Sequence, residues 1–123
     1  MNGNKYLLDT NIILYILSGN EELTDYLQAQ YLYTSFITEL ELLSYKNLTA
    51  KEEAAIKGFL QQVRIIGIDS AIKAEATAIR KDWSLKIPDA IIAATAVTLQ
   101  LTLITADKQF RQIPHLRLEL YEA

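Results

Sequence analysis

The sequence predicts an α/β domain in which a parallel sheet is covered by helices on both faces, and three observations predict it. The chain has 123 residues, of which 50% are hydrophobic and 22% charged, an ordinary globular balance with enough length for one core. Short β-branched or aromatic runs alternate with longer stretches of helical periodicity, the pattern of βαβ units with right-handed crossovers. No repeat, low-complexity tract or Pro/Gly-rich linker interrupts the alternation, so residues 1–123 are expected to form a single domain.

The elements follow in order. KYLLD reads as a short buried strand, and TNIILYILSG as a helix with Ile12, Ile13, Ile16 and Leu17 at helical spacing and Gly19 as its stop. EELTDYLQAQ is a second, shorter helix, followed by the aromatic strand YLYTS. ITELELLSYKNL reads as a helix, and Thr49 with Glu52 makes a capping box that opens another over AKEEAAIKGFLQQ. VRIIGI is a β-branched strand, and DSAIKAEATAIRKDW a helix capped by Asp69 or Ser70. Pro88 suits the first turn of a helix through DAIIAATAVTLQL, where a missing N–H has no intrahelical partner to lose. LTLIT and LRLELY are the last two strands.

Composition narrows the chemistry. With no cysteine and one histidine, His115, neither a disulfide framework nor a thiolate or imidazole zinc site is available, so any metal must be held by oxygen. The N-terminus lacks the layout of a signal peptide, and no apolar run approaches the roughly 20 residues that span a bilayer, so a cytoplasmic protein without a membrane segment is expected. A net charge of −3 argues against gripping nucleic acid by bulk positive charge but leaves room for a local basic surface. Arg80, Lys81 and Lys86 form a loose basic group that reads as a solvated helix end. The tyrosines Tyr6, Tyr15, Tyr31, Tyr33 and Tyr45 read as core or interface area, and the run Ala90, Ala93, Ala94, Ala96 as a small-residue packing face.

Ligands of open parallel sheets bind beyond the carboxyl ends of the strands, near the point where strand order reverses. Asp9 follows the first strand and Asp107 stands two residues after LTLIT, so both are expected on that rim. Asp89 and Glu41 lie in the first turns of helices that start on the same side. Each acid has a purely structural reading. Asp9 could be a helix cap, Asp89 could complement a helix dipole for about 0.3 to 1 kcal/mol, Thr38 with Glu41 matches a capping box, and Asp107 could close a turn. Taken together those readings weaken, because carboxylates on one rim repel unless a cation joins them. Mg²⁺ or Mn²⁺ would relieve the repulsion, accept oxygen ligands and keep waters for a phosphate to replace, which makes the group a candidate phosphoryl-transfer centre. Thr10, Asn11, Thr38 and Thr105 are candidates to orient the carboxylates or a water.

LLDTNIIL, ITELELL, KIPDAIIAATA and LITADKQF together resemble the four acidic motifs of PIN domains, in the order, spacing and length of the VapC-type toxins of toxin–antitoxin pairs. The resemblance covers the whole chain. It implies a three-layer α/β/α fold with a central parallel sheet in the order 3-2-1-4-5. It assigns Asp9, Glu41, Asp89 and Asp107 to the catalytic metal centre, with Thr10, Asn11 and Thr105 in support. It further implies a magnesium- or manganese-dependent endoribonuclease that hydrolyses RNA, is held by a cognate antitoxin and works as a homodimer. Glu41 fits the motif better than Glu39, and Arg80 and Lys86, near Asp89 in sequence, are the candidates for RNA contact.

Other readings fit less well. A phosphorelay receiver would need adjacent acids after the first strand, an acceptor Asp ending the third and a Lys near the last, a pattern that VRIIGID and LTLIT do not supply. A haloacid-dehalogenase-type phosphatase needs D-x-D, where this chain has Asp9-Thr10-Asn11. The alternative from another class is a catalytically inactive PIN-like binding module, although such loss usually shows as missing acids and all four are present.

Overall fold

Tyr6, Leu7 and Leu8 are buried in succession, which a strand achieves only when both faces of its sheet are covered. The computed structural model describes residues 3–122 and shows the layers that do this. The order along the chain is β1 (Lys5–Leu8), α1 (Thr10–Leu17), α2 (Glu21–Leu27), β2 (Tyr31–Ser35), α3 (Phe36–Leu43), α4 (Ala50–Leu60), β3 (Arg64–Ile66), α5 (Ser70–Asp82), α6 (Ile87–Leu99), β4 (Thr102–Thr105), a 3₁₀ turn (Lys108–Gln112) and β5 (Leu118–Leu120). All neighbouring strands pair in parallel, as the alternation of elements predicts, in the order β3-β2-β1-β4-β5 that the resemblance implies.

The alternation of side chains divides the core in two. Leu7 and Leu103 point to the face covered by α5 and α6, where they meet Ile72, Ile79, Ile92 and Phe110. Tyr6, Leu8 and Ile104 point to the opposite face, covered by α1 to α4 through Ile12, Ile13, Leu23, Leu42 and Ile56. Ala90, Ala93, Ala94 and Ala96 are all buried, so the small-residue run is a packing face, as expected.

Several boundaries differ from the sequence reading. The helix expected over ITELELLSYKNL begins earlier and ends sooner, at Leu43. Ser35 closes β2 in an extended conformation and accepts the Ile37 N–H at 3.1 Å, so strand passes to helix without a loop and Ser35 is the cap. The capping-box reading of Thr38 and Glu41 therefore fails, because both lie inside the helix. The chain leaves α3 through Ser44, and Asn47 takes a left-handed φ of 64°, which asparagine tolerates well. Likewise α2 ends at Leu27 before Ala29 turns left-handed, and the edge strand β3 keeps only three residues. The box at Thr49 and Glu52 forms as predicted, with bonds of 2.9 and 3.1 Å.

Because β1 is central, with β2 and β3 on one side and β4 and β5 on the other, the strand order reverses between β1 and β4. Asp9 N–H donates to the Ile104 carbonyl at 3.1 Å and carries the β1–β4 pairing to the rim. The reversal point of the sheet therefore opens directly beside Asp9.

Candidate functional site

Asp9 caps α1, but its carboxylate serves more than a cap. One oxygen accepts the Thr10 N–H at 2.8 Å, and the other accepts the Thr105 hydroxyl at 2.6 Å, across from the end of β4. Only 7% of Asp9 is exposed. Burial raises its pKa above the usual carboxylate value, the two hydrogen bonds oppose that, and the charges of Asp89 and Glu41 push it further up.

Thr105 ties two of the acids together. Its oxygen donates to Asp9 and accepts the Asp107 N–H at 3.0 Å, so the hydroxyl proton is committed to the Asp9 carboxylate. Asn11 has a different role from the one expected, since its side-chain oxygen accepts the Ala106 N–H at 3.2 Å and pins the backbone that leads to Asp107. Thr10 donates to Glu41 at 2.7 Å and lies 3.2 Å from the Thr38 hydroxyl. That bond joins the start of α1 to the second turn of α3 and draws Glu41, not Glu39, toward the rim.

Asp89 is half-buried in the first turn of α6. Burial raises its pKa first, then the charge of Asp107; Gln109 lowers it, Glu41 raises it and Lys86 lowers it. Asp107 caps the 3₁₀ turn by accepting the Gln109 N–H at 3.0 Å. The Gln109 side-chain nitrogen then donates to Asp107 at 2.6 Å and to Asp89 at 3.2 Å, bridging two of the four acids. Sequence reasoning missed Gln109. Its place two residues after Asp107 was visible, but nothing local tells which way a flexible amide will turn.

All four expected residues thus meet at one rim, where the charges of Asp89 and Glu41 act on Asp9, and those of Asp107 and Glu41 act on Asp89. The ion pairs among the described residues, Lys57 with Glu53 and His115 with Glu75, lie elsewhere. Arg80, expected near RNA, instead donates to the Leu85 carbonyl at 2.8 Å and braces the turn between α5 and α6. The donor set suits a hard divalent cation, since it is all oxygen, partly desolvated and mutually repelling. As placed, however, no group of three or more acidic or histidine side chains among the described residues is arranged to hold an ion. Oxygen ligands of Mg²⁺ lie at about 2.0 to 2.1 Å, so an ion shared by these acids would require their side chains to rotate inward.

The sequence profile of the PIN domain family matches residues 6–116. Among solved structures, the chain is similar to one from a toxin–antitoxin complex of Klebsiella pneumoniae, with 35% identity over 96% of this chain and 99% of that one, at a TM-score of 0.81. It also has the fold of a chain in VapBC2 from Rickettsia felis bound to a DNA fragment from their promoter, with 24% identity, coverage of 95% and 98%, and a TM-score of 0.84. DNA-bound VapBC from Salmonella typhimurium gives 22% identity, coverage of 94% and 97%, and a TM-score of 0.81. No curated protein matches the chain.

Proposed function

The chain belongs to the PIN domain family, and from that premise we propose that it is a single-domain, divalent-metal-dependent endoribonuclease, the toxin of a toxin–antitoxin pair. The observation that carries the reading is the convergence of Asp9, Glu41, Asp89 and Asp107 where strand order reverses, with Asp9 raised in pKa by burial and by the charges of Asp89 and Glu41, and Asp89 by burial and by the charges of Asp107 and Glu41. Those four side chains would hold Mg²⁺ or Mn²⁺. The ion would supply charge neutralisation at the phosphate and a more acidic water for hydrolysis of the phosphodiester bond.

The chain's own residues position the acids. Thr105 fixes the Asp9 carboxylate, Thr10 orients Glu41, and Asn11 anchors the backbone that presents Asp107. Exposed Lys86, at the N-cap of α6 and within electrostatic reach of Asp89, would meet the RNA backbone.

Two partners complete the proposal. On α1, Ile12 and Ile13 are buried, whereas Leu14 is 36% exposed and shares a groove with Leu17, Tyr45, Leu48 and Ile56. This apolar surface is where a cognate antitoxin would dock, while the chain itself would act as a homodimer in the cytoplasm. No helix among the described residues is long and apolar enough to cross a membrane. The second reading, an inactive PIN-like binding module, is favoured by one observation, the lack of an ion-gripping trio as placed.

A thermal melt separates the two readings. A ligand bound only by the folded state stabilises it by mass action, about 2.7 kcal/mol at a hundredfold excess over Kd. The wild type is expected to melt several degrees higher in millimolar Mg²⁺ or Mn²⁺ than in EDTA, and a variant carrying Asp89→Asn and Asp107→Asn is expected to show no shift. Identical wild-type melts with and without metal would leave only the binding-module reading.

A further inference from the structure

Gln109 has chemistry that packing does not account for. Its backbone N–H and its side-chain amide both donate to Asp107, at 3.0 and 2.6 Å, and the same amide nitrogen reaches Asp89 at 3.2 Å. An amide nitrogen has two N–H groups and no acceptor, so each hydrogen faces a different carboxylate. Asp89 comes from α6 and Asp107 from the connection that follows β4, and the charge of Asp107 disfavours the ionised form of Asp89. The amide is the group through which they are held side by side.

The same hydrogens stand where a cation would have to come. Bonds from the amide use lone pairs of Asp89 Oδ2 and Asp107 Oδ2, and a divalent ion on those oxygens would meet the positive ends of the N–H dipoles. Amide and ion therefore compete. The backbone of Gln109 is fixed, because the Gln112 side chain donates to its carbonyl at 3.0 Å and the neighbouring Phe110 is fully buried. Its half-buried side chain can turn away without disturbing either anchor.

We propose that Gln109 is a releasable amide latch on the metal centre: its two N–H groups clasp Asp89 and Asp107, and a divalent cation gains those oxygens only by displacing it. Gln109 thereby sets the affinity of the centre for metal. The proposal rests on the metal-centre reading above and makes Gln109 a positioning residue, since it acts through two ligands.

Calorimetric titration with Mn²⁺ alone, paired with melting in EDTA, tests it. Gln109→Ala removes the competitor and is expected to bind Mn²⁺ with a Kd about tenfold lower, the worth of one hydrogen bond to a charged group. In EDTA the same variant is expected to melt below the wild type, because the two carboxylates lose their clasp. Gln109→Lys places an ammonium between the acids, so it is expected to melt above the wild type in EDTA and to bind no Mn²⁺. A purely structural Gln109 would lower the melting temperature of Gln109→Ala and leave its Kd unchanged or weaker, which would overturn the latch alone. Wild-type binding strength in Gln109→Lys would do the same. A wild type that binds no Mn²⁺ would overturn the centre and the latch together.

Discussion

Asp9→Asn is expected to lower RNA cleavage in Mg²⁺ by more than about 100-fold, beyond the 10- to 100-fold that losing an outer-shell partner of a metal costs. The substitution is nearly isosteric, and asparagine keeps an oxygen for the Thr10 N–H that Asp9 now accepts at 2.8 Å, so the cap on α1 survives. The buried charge is lost, and the oxygen that accepts the Thr105 hydroxyl at 2.6 Å becomes an NH2 that this hydroxyl can turn to accept from. The fold is therefore expected to stay intact, and in EDTA at neutral pH the variant should melt at or above the wild type.

That margin should depend on pH in one direction. Burial, Asp89 and Glu41 raise the folded-state pKa of Asp9 above its ordinary 3.8, so protonating Asp9 favours the folded state. Its contribution to stability is complete below the unfolded value and is lost as pH rises through the raised folded value. The advantage of Asp9→Asn over the wild type should then narrow as pH falls from neutral into the acid range, when both melts are recorded in EDTA. A variant that cleaves RNA near the wild-type rate, or a margin that widens on acidification, would remove Asp9 from the centre.

Phe110→Ala is expected to cost about 3 to 5 kcal/mol of folding stability, a large share of the about 5 to 15 kcal/mol that holds a typical domain together. Phe110 is fully buried, in the core beneath α5 and α6, and it stands in the 3₁₀ turn that Asp107 caps. Its loss leaves a cavity and also frees the turn that carries Asp107 and Gln109. Urea unfolding should show the midpoint falling sharply in Phe110→Ala and far less in Phe110→Leu. A cost under about 1 kcal/mol for the alanine variant would mean that the turn is anchored by something else.

The same turn marks the limit of what the sequence makes legible. Strands β1 and β4 could be read because residues buried on both faces leave continuous apolar runs, and Asp9 and Asp107 could be placed because each follows such a run. Pro88 marked the start of α6 within one residue, since its missing N–H is tolerated only there. Local signals misled where two elements meet without a loop. Ser35 is both the last residue of β2 and the cap of α3, and Thr38-x-x-Glu41 imitated a box three residues too late.

What depends on register was out of reach. The bond from Thr10 to Glu41 spans 31 residues and that from Thr105 to Asp9 spans 96, and neither follows from spacing along the chain. The sequence could assign four acids to one rim. Which groups orient them, and that an amide bridges Asp89 and Asp107, emerges only once α1, α3, α6 and β4 are set side by side.

The central claim, that this rim cuts RNA with the help of a divalent ion, is tested most directly by incubating the purified chain with single-stranded RNA in Mg²⁺, in Mn²⁺ and in EDTA. A variant with Asp9→Asn and Asp89→Asn, purified in parallel, controls for stray nuclease. The account predicts fragments in either metal, none in EDTA and none from the variant. Cleavage that persists in EDTA, that the variant matches, or that neither ion elicits from the wild type would contradict it.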